Sequence, residues 1–345
     1  MKAVAVIEPG TVRVVEVSKP QPGPYQALVR TEAASLCNAT DGKLVAGHFP
    51  GVDKYPLVLG HESAGIVEAV GCKVRGFQPG QRVIGGLVFD FGDPRYASGW
   101  GGFCEYTLAN DHDAMVADGV ADAAHGWAEV FEIQRAVPLD ISVEDAVLLC
   151  TWREVYGGFG DFHLQAGNDV LIFGAGPVGL SFVKFARLLG LGYIGVVERN
   201  ELKHAKALEL GADEVFTPES AALAELTERR GKPLDAVIDA VGHESVVNAA
   251  LPLIKLGGSI CVYGVIADPV LRLNKGAGPY NFNLYVHQWP TRSRERLAME
   301  PLCAWIRAGK LKAAEFITYE FPFEQIENAL DAAHDGLALK SLLRY

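Results

Sequence analysis

Cys37, the run Gly60-His61-Glu62 and Cys150 offer two thiols, an imidazole and a carboxylate, and they stand upstream of a Gly174-Ala175-Gly176-Pro177-Val178-Gly179 run. Zinc takes sulfur, nitrogen and carboxylate oxygen in tetrahedral array, and a catalytic zinc keeps one of its four positions for water or substrate, so three protein ligands suffice. Glycines spaced Gly-x-Gly-x-x-Gly between a strand and a helix let backbone approach a pyrophosphate. A metal site and a dinucleotide site in one chain point to hydride chemistry on an alcohol or a carbonyl.

The glycine run follows the apolar segment Val170-Leu171-Ile172-Phe173 and opens an apolar stretch from Val178 to Leu189. In that context Gly174 makes the tight turn, Gly176 allows the close approach and Gly179 lets the helix pack, with Pro177 and Val178 between them; amides at the helix start meet the phosphate charge. Glu198 stands about 20 residues on, at the tip of the next strand, where an acid bonds ribose hydroxyls and repels a 2′-phosphate, favouring NAD over NADP. Arg199 beside it pulls the other way, since a guanidinium pairs with phosphate.

These groups need two kinds of scaffold. Residues 1 to about 110 carry short β-type runs punctuated by Gly and Pro, among them Ala27-Leu28-Val29-Arg30 and Ala64-Gly65-Ile66-Val67, which predict a small barrel-like β domain. From Asp169 the texture becomes strand, turn, helix, strand, through Ala236-Val237-Ile238 and Ser259-Ile260-Cys261-Val262-Tyr263, which predicts a parallel sheet covered by helices. A helix over Arg294 to Ala308 and a final strand over Leu337 to Arg344 are expected to return to the first domain. The Ala-rich stretch between Asp113 and Arg135 reads as a lid or as surface decoration.

At 345 residues the chain exceeds the roughly 250–300 residues of a single core, so two domains are expected. With 31 Lys and Arg against 42 Asp and Glu the net charge is -11, and no basic stripe could track a phosphate backbone, which excludes nucleic acid as a partner. No apolar run approaches the roughly 20 residues needed to cross a bilayer, and the N-terminal run is too short for a signal peptide; the expectation is a cytoplasmic protein that does not engage a membrane. Six cysteines scattered without paired spacing argue for reduced thiols.

The runs Gly60-His61-Glu62-Ser63-Ala64-Gly65-Ile66-Val67-Glu68-Ala69-Val70-Gly71, Pro79-Gly80-Gln81-Arg82-Val83 and Gly101-Gly102-Phe103-Cys104-Glu105-Tyr106, with the glycine-rich turn, resemble the zinc-dependent medium-chain dehydrogenase/reductase family of alcohol, sorbitol and threonine dehydrogenases. The resemblance implies an α/β chain with a GroES-like β-rich catalytic domain over 1–153 and 294–345, a Rossmann doubly wound parallel-sheet domain over 154–293, and an active site in the cleft between them. Carried over residue by residue, it implies Cys37, His61 and Cys150 as zinc ligands, with Glu62 binding the metal directly or through water. It implies Lys203 beside Glu198 at the adenosine ribose, and Gly264 and Val265 at the nicotinamide.

Three departures matter. The family has Cys, two residues, then Asp, whereas Cys37-Asn38-Ala39-Thr40-Asp41 carries one extra residue. Either Cys37 keeps the ligand place and the chain bulges after it, leaving Thr40 as the hydroxyl that takes the substrate's proton, or Asp41 sets the register and Asn38 stands in the ligand place, as in zinc-free relatives. Leu87 through Trp100 lacks the four cysteines of the usual second zinc lobe, so one catalytic zinc and no structural zinc are expected. Glu154 stands where the family has a small hydroxyl facing the nicotinamide; it contacts substrate, relays a proton or pairs with Arg153.

The function these expectations describe is hydride transfer between a secondary alcohol or polyol, or its ketone, and NAD. Glu154, Arg153, Asn281 and Arg292 are the polar residues that suit a polyol. The alternatives are a zinc-free quinone or enoyl reductase of the same superfamily and a non-catalytic NAD-binding sensor. Ile260 through Val265 is expected near a sheet edge that family members pair across subunits, giving a homodimer or homotetramer.

Overall fold

The structure, a computed structural model, describes residues 1–336 and 338–345; Leu337, the expected start of the last strand, lies outside the described residues. The chain divides into two compact units, Met1–Thr151 with Met299–Tyr345, and Trp152–Ala298. The division falls inside the helix Val143–Asp161.

In the second unit all six strands are parallel, in the spatial order Glu214–Phe216, Ile194–Val197, Val170–Phe173, Leu234–Asp239, Ile254–Val262, Asn283–Val286. Val170–Phe173 is buried at all four positions, as a strand covered on both faces must be. The chain starts at this central strand, steps outward twice to one side, then crosses to the other. The order therefore reverses between Val170–Phe173 and Leu234–Asp239, where doubly wound folds open a ligand crevice at the carboxyl ends of the strands.

Asp169 ties the base of this sheet together. It accepts from the Tyr193 amide at 2.9 Å and from Arg230 at 2.7 Å, and Arg230 also lies over the Tyr193 ring at 4.0 Å. Burial raises the Asp169 carboxyl, but hydrogen bonds from Lys232, the Tyr193 amide and Arg230 overcome it and hold the pKa down at about 2. Because that lies below the unfolded value of about 3.9, the stabilisation is full above roughly pH 5 and is lost as pH falls toward 2. Asp169→Asn is expected to cost about 2–3 kcal/mol at pH 7, the worth of a charged hydrogen bond. The gap between variant and wild type in urea denaturation should close as the pH is lowered to 2.

The first unit is built around the strand Gln26–Ser35, which pairs antiparallel with Ser63–Val70, Tyr106–Asn110 and Lys340–Arg344. A smaller sheet orders Thr11–Glu16, Lys2–Glu8, Leu57–Val58 and Ala97–Ser98. Val4, Val6, Leu36, Leu44, Leu57, Leu59 and Phe103 close one core beneath the metal-ligand candidates.

One strand is added and two expected boundaries shift. Ile254–Val262 stands next to the sheet edge, and the edge itself is a sixth strand, Asn283–Val286, which is short and partly exposed, so its sequence lacks the apolar run that signals a strand. The 113–135 stretch forms one helix, His112–Ala117, and two 3-10 turns, secured by Asp111, which accepts from the Arg75, Gly76 and Ala114 amides. The late helix runs Arg292–Arg307 and the last strand Lys340–Arg344.

Candidate metal and dinucleotide sites

Gly60 takes φ 103°, and a Cβ there would fall 2.3 Å from the Phe103 ring, so only glycine lets the chain pass Phe103 and deliver His61. On the other side the Glu62 carbonyl accepts from the Ser35 amide at 2.9 Å, next to Leu36-Cys37. These two constraints bring Cys37, His61 and Glu62 into one cluster, with one donor atom from each lying within 4.8 Å of the others.

The extra residue after Cys37 is absorbed in a closed turn. The Cys37 amide donates to Asp41 Oδ2 at 2.8 Å and the Asp41 amide donates back to the Cys37 carbonyl at 2.9 Å. Asn38 is exposed and Thr40 begins the helix Thr40–Val45, half-buried.

His61 presents Nε2 toward Glu62, 3.9 Å from Oε1, and Nδ1 toward Asp41, 3.7 Å from Oδ1. Among the described residues, His61 Nδ1 and Asp41 Oδ1 are both buried without a hydrogen-bond partner. Burial pushes the Asp41 carboxyl up to about 7 against the pull of His61. A carboxylate behind an imidazole is the usual outer support of a metal-bound histidine, fixing its tautomer and orientation. Sulfur, imidazole and carboxylate donors facing one another, with an orphaned Nδ1 aimed at an acid, fit zinc.

Glu62 is fully engaged. Its Oε1 accepts from Thr151 Oγ1 at 2.9 Å and its two oxygens accept from Lys340 Nζ at 2.8 and 2.6 Å, all buried. Burial raises the carboxyl, but Lys340 first, then His61, brings it below its ordinary value. Cys150 lies outside the 4.8 Å cluster, buried on the helix Val143–Asp161, where its thiol donates to the Ser63 carbonyl at 3.8 Å. Glu154 is half-buried four residues further along that helix. Arg153 and Arg292 both reach the buried Glu295, at 3.5 and 2.6 Å, so the cations that suited a polyol are committed to an ion cluster.

In the second unit Gly174 takes φ 97°, and a Cβ on Gly179 would fall 1.9 Å from the Gly174 carbonyl oxygen, while Gly176 opens onto free space. Gly176 caps the helix Pro177–Leu188, with Pro177 and Val178 in its first turn. Glu198 accepts from the Ala175 amide at 2.6 Å and the Asn200 amide at 2.8 Å, at the edge of the glycine turn. Arg199 is exposed and Lys203 half-buried. Gly264 and Val265 follow Ile254–Val262 and pack tightly on Gly242.

Lys340 and Asp41 are the residues that sequence reasoning missed. Lys340 stands within the apolar Ala338-Leu339-Lys340-Ser341-Leu342-Leu343, and a lone cation in a buried strand is itself a signal that an acid waits inside.

A relative from Entamoeba histolytica named NADP-dependent isopropanol dehydrogenase is 30% identical over 96% of this chain and 91% of its own length. The chain belongs to the zinc-type medium-chain dehydrogenase/reductase family. Family models agree: "Alcohol dehydrogenase GroES-like domain" matches residues 23–118 and "Zinc-binding dehydrogenase" residues 177–280. An alcohol dehydrogenase of Cupriavidus necator is 28% identical over 96% of this chain and 94% of its own. Among solved structures, an alcohol dehydrogenase from Thermus sp. ATN1 superposes with a TM-score of 0.80 at 25% identity, covering both chains fully. The family architecture, a GroES-like unit and a Rossmann unit, is the one described above, and no helix of the described residues is long and apolar enough to cross a membrane.

Proposed function

We propose that this oxidoreductase interconverts secondary alcohols or polyols and their ketones with NAD, using one zinc ion. The observation that carries the reading is the convergence of Cys37, His61 and Glu62 with Asp41 behind the imidazole. Cys37 and His61 would hold the metal. Cys150 would complete the set: it lies beside Ser63, two residues from His61, and its neighbour Thr151 touches Glu62. Bound there, zinc supplies Lewis acidity, lowering the pKa of an alcohol hydroxyl toward neutrality as it does for water.

The chain's own residues do the rest. Asp41, whose Oδ1 stands 3.7 Å behind His61 Nδ1, is placed to take up Nδ1–H when the imidazole binds the metal, which would fix the tautomer that leaves Nε2 for zinc. Lys340 and Thr151 hold Glu62, as an ionised carboxylate beside the cluster. Thr40 would relay the hydroxyl proton of the substrate, giving up its own as it takes the substrate's, and Glu154, on the Cys150 helix, would contact substrate or receive the relayed proton on its carboxylate. Gly174, Gly176, Pro177, Val178 and Gly179 seat the pyrophosphate, Glu198 and Lys203 the ribose, and Gly264 and Val265 the nicotinamide. The exposure of Asn38 weighs against the zinc-free reductase, which needs that residue in the ligand place.

Elemental analysis beside an alcohol panel tests the proposal. About one zinc per chain and turnover of secondary alcohols are expected; full activity in metal-free protein would contradict it. Cofactor choice is tested separately, because the Entamoeba histolytica relative is named NADP-dependent, whereas Glu198 favours NAD. Glu198→Ser is expected to raise the NADP-to-NAD ratio of kcat/KM by about tenfold, the worth of one repulsive charge at ~1.4 kcal/mol. An unchanged ratio removes Glu198 from cofactor selection.

A further inference from the structure

Trp100 takes φ 71°, a backbone state that L side chains avoid and that is an outlier for a bulky residue. It sits in Ser98-Gly99-Trp100-Gly101-Gly102, where glycine flanks it on both sides and Gly101 also takes a positive φ of 65°. A turn that only needed positive φ would be met by a third glycine at lower cost, so the retained indole points to use at this position.

The backbone registers this residue against His61. The Gly99 amide donates to the Val58 carbonyl at 2.7 Å, Gly102 to Gly60 at 2.7 Å and Phe103 to Leu59 at 2.9 Å, while the Trp100 carbonyl accepts from the Val88 amide at 3.0 Å. The indole then lies 5.5 Å from the His61 ring, tilted by 56°, and meets Phe49 edge-to-face at 5.5 Å. Phe49 packs on the buried core, so one side of the indole is braced. Trp100 stays half-exposed beside an imidazole that is itself 21% exposed.

Resting on the proposed alcohol chemistry at Cys37 and His61, we propose that Trp100, backed by Phe49, is a substrate-positioning residue whose indole receives an apolar arm of the secondary alcohol, so that alkyl or aryl carbinols are preferred over polyols. The commitment of Arg153 and Arg292 to Glu295 fits this direction. Each methylene taken out of water is worth about fourfold in binding, the equivalent of ~0.8 kcal/mol.

The test compares 2-propanol, 2-pentanol, 1-phenylethanol and sorbitol in the zinc-loaded protein with NAD. In wild type kcat/KM is expected to climb about fourfold per added methylene. Trp100→Gly, which suits the left-handed backbone and so should fold, is expected to lose at least tenfold more on 2-pentanol and 1-phenylethanol than on 2-propanol, mainly through KM. Trp100→Phe should restore most of that selectivity. Saturation-transfer NMR on the alkyl chain of 2-pentanol reads the same contact without turnover, and its signal should fall in Trp100→Gly. Wild-type ratios and undiminished transfer in Trp100→Gly overturn the assignment of Trp100. A wild type that oxidises no alcohol instead sinks the proposed alcohol chemistry, and the NMR comparison then decides Trp100 alone.

Discussion

His61→Ala is expected to leave less than about a tenth of a zinc per chain and to lower kcat by about a thousandfold. The factor follows from the several kcal/mol that a metal Lewis acid contributes to stabilising developing charge, since about 4 kcal/mol is three powers of ten in rate. The same substitution removes the largest of the influences that oppose burial at Asp41, leaving the Cys37 amide, so that carboxyl should rise further. Zinc by mass spectrometry and steady-state kinetics on the same preparation check the result. Normal zinc with normal turnover would remove His61 from the site.

Lys340→Met is expected to destabilise the first unit by about 3–5 kcal/mol, because it leaves the buried Glu62 carboxylate without its cation. Burial works against the Lys340 ammonium and the Glu62 carboxylate overcomes it, so the pair holds each partner charged. The signs give the pH window. The depressed Glu62 pKa adds stability above the ordinary glutamate range that is lost as pH falls, and the raised Lys340 pKa adds stability that persists below the ordinary lysine range and is lost as pH climbs through its folded value. Adding Glu62→Gln to Lys340→Met should recover much of the loss, since the uncompensated charge disappears. A double variant no more stable than the single one would show that Lys340 acts by packing.

What could be read in the chain beforehand was what local chemistry specifies. Gly60-His61-Glu62 and the glycine run declare themselves because tight turns and close backbone approaches admit few residues, and at Gly60 and Gly179 an added Cβ would fall 2.3 and 1.9 Å from its nearest neighbour. The parallel sheet was legible for the same reason, as buried strands such as Val170–Phe173 must be apolar throughout. What escaped depends on partners far apart in sequence. Lys340 meets Glu62 across 278 residues, and no periodicity links them. Asp41 served as a register mark, although its oxygens tie Cys37 and face His61. The edge strand Asn283–Val286 is too short and too exposed to show a period.

Zinc K-edge X-ray absorption on the purified protein reads the proposed centre most directly. Two sulfurs at about 2.3 Å and one imidazole nitrogen at about 2.0–2.1 Å are predicted, from Cys37, Cys150 and His61, and Cys150→Ser should remove one sulfur. A shell without sulfur, or protein that turns over alcohols at full rate with no zinc bound, would contradict the account.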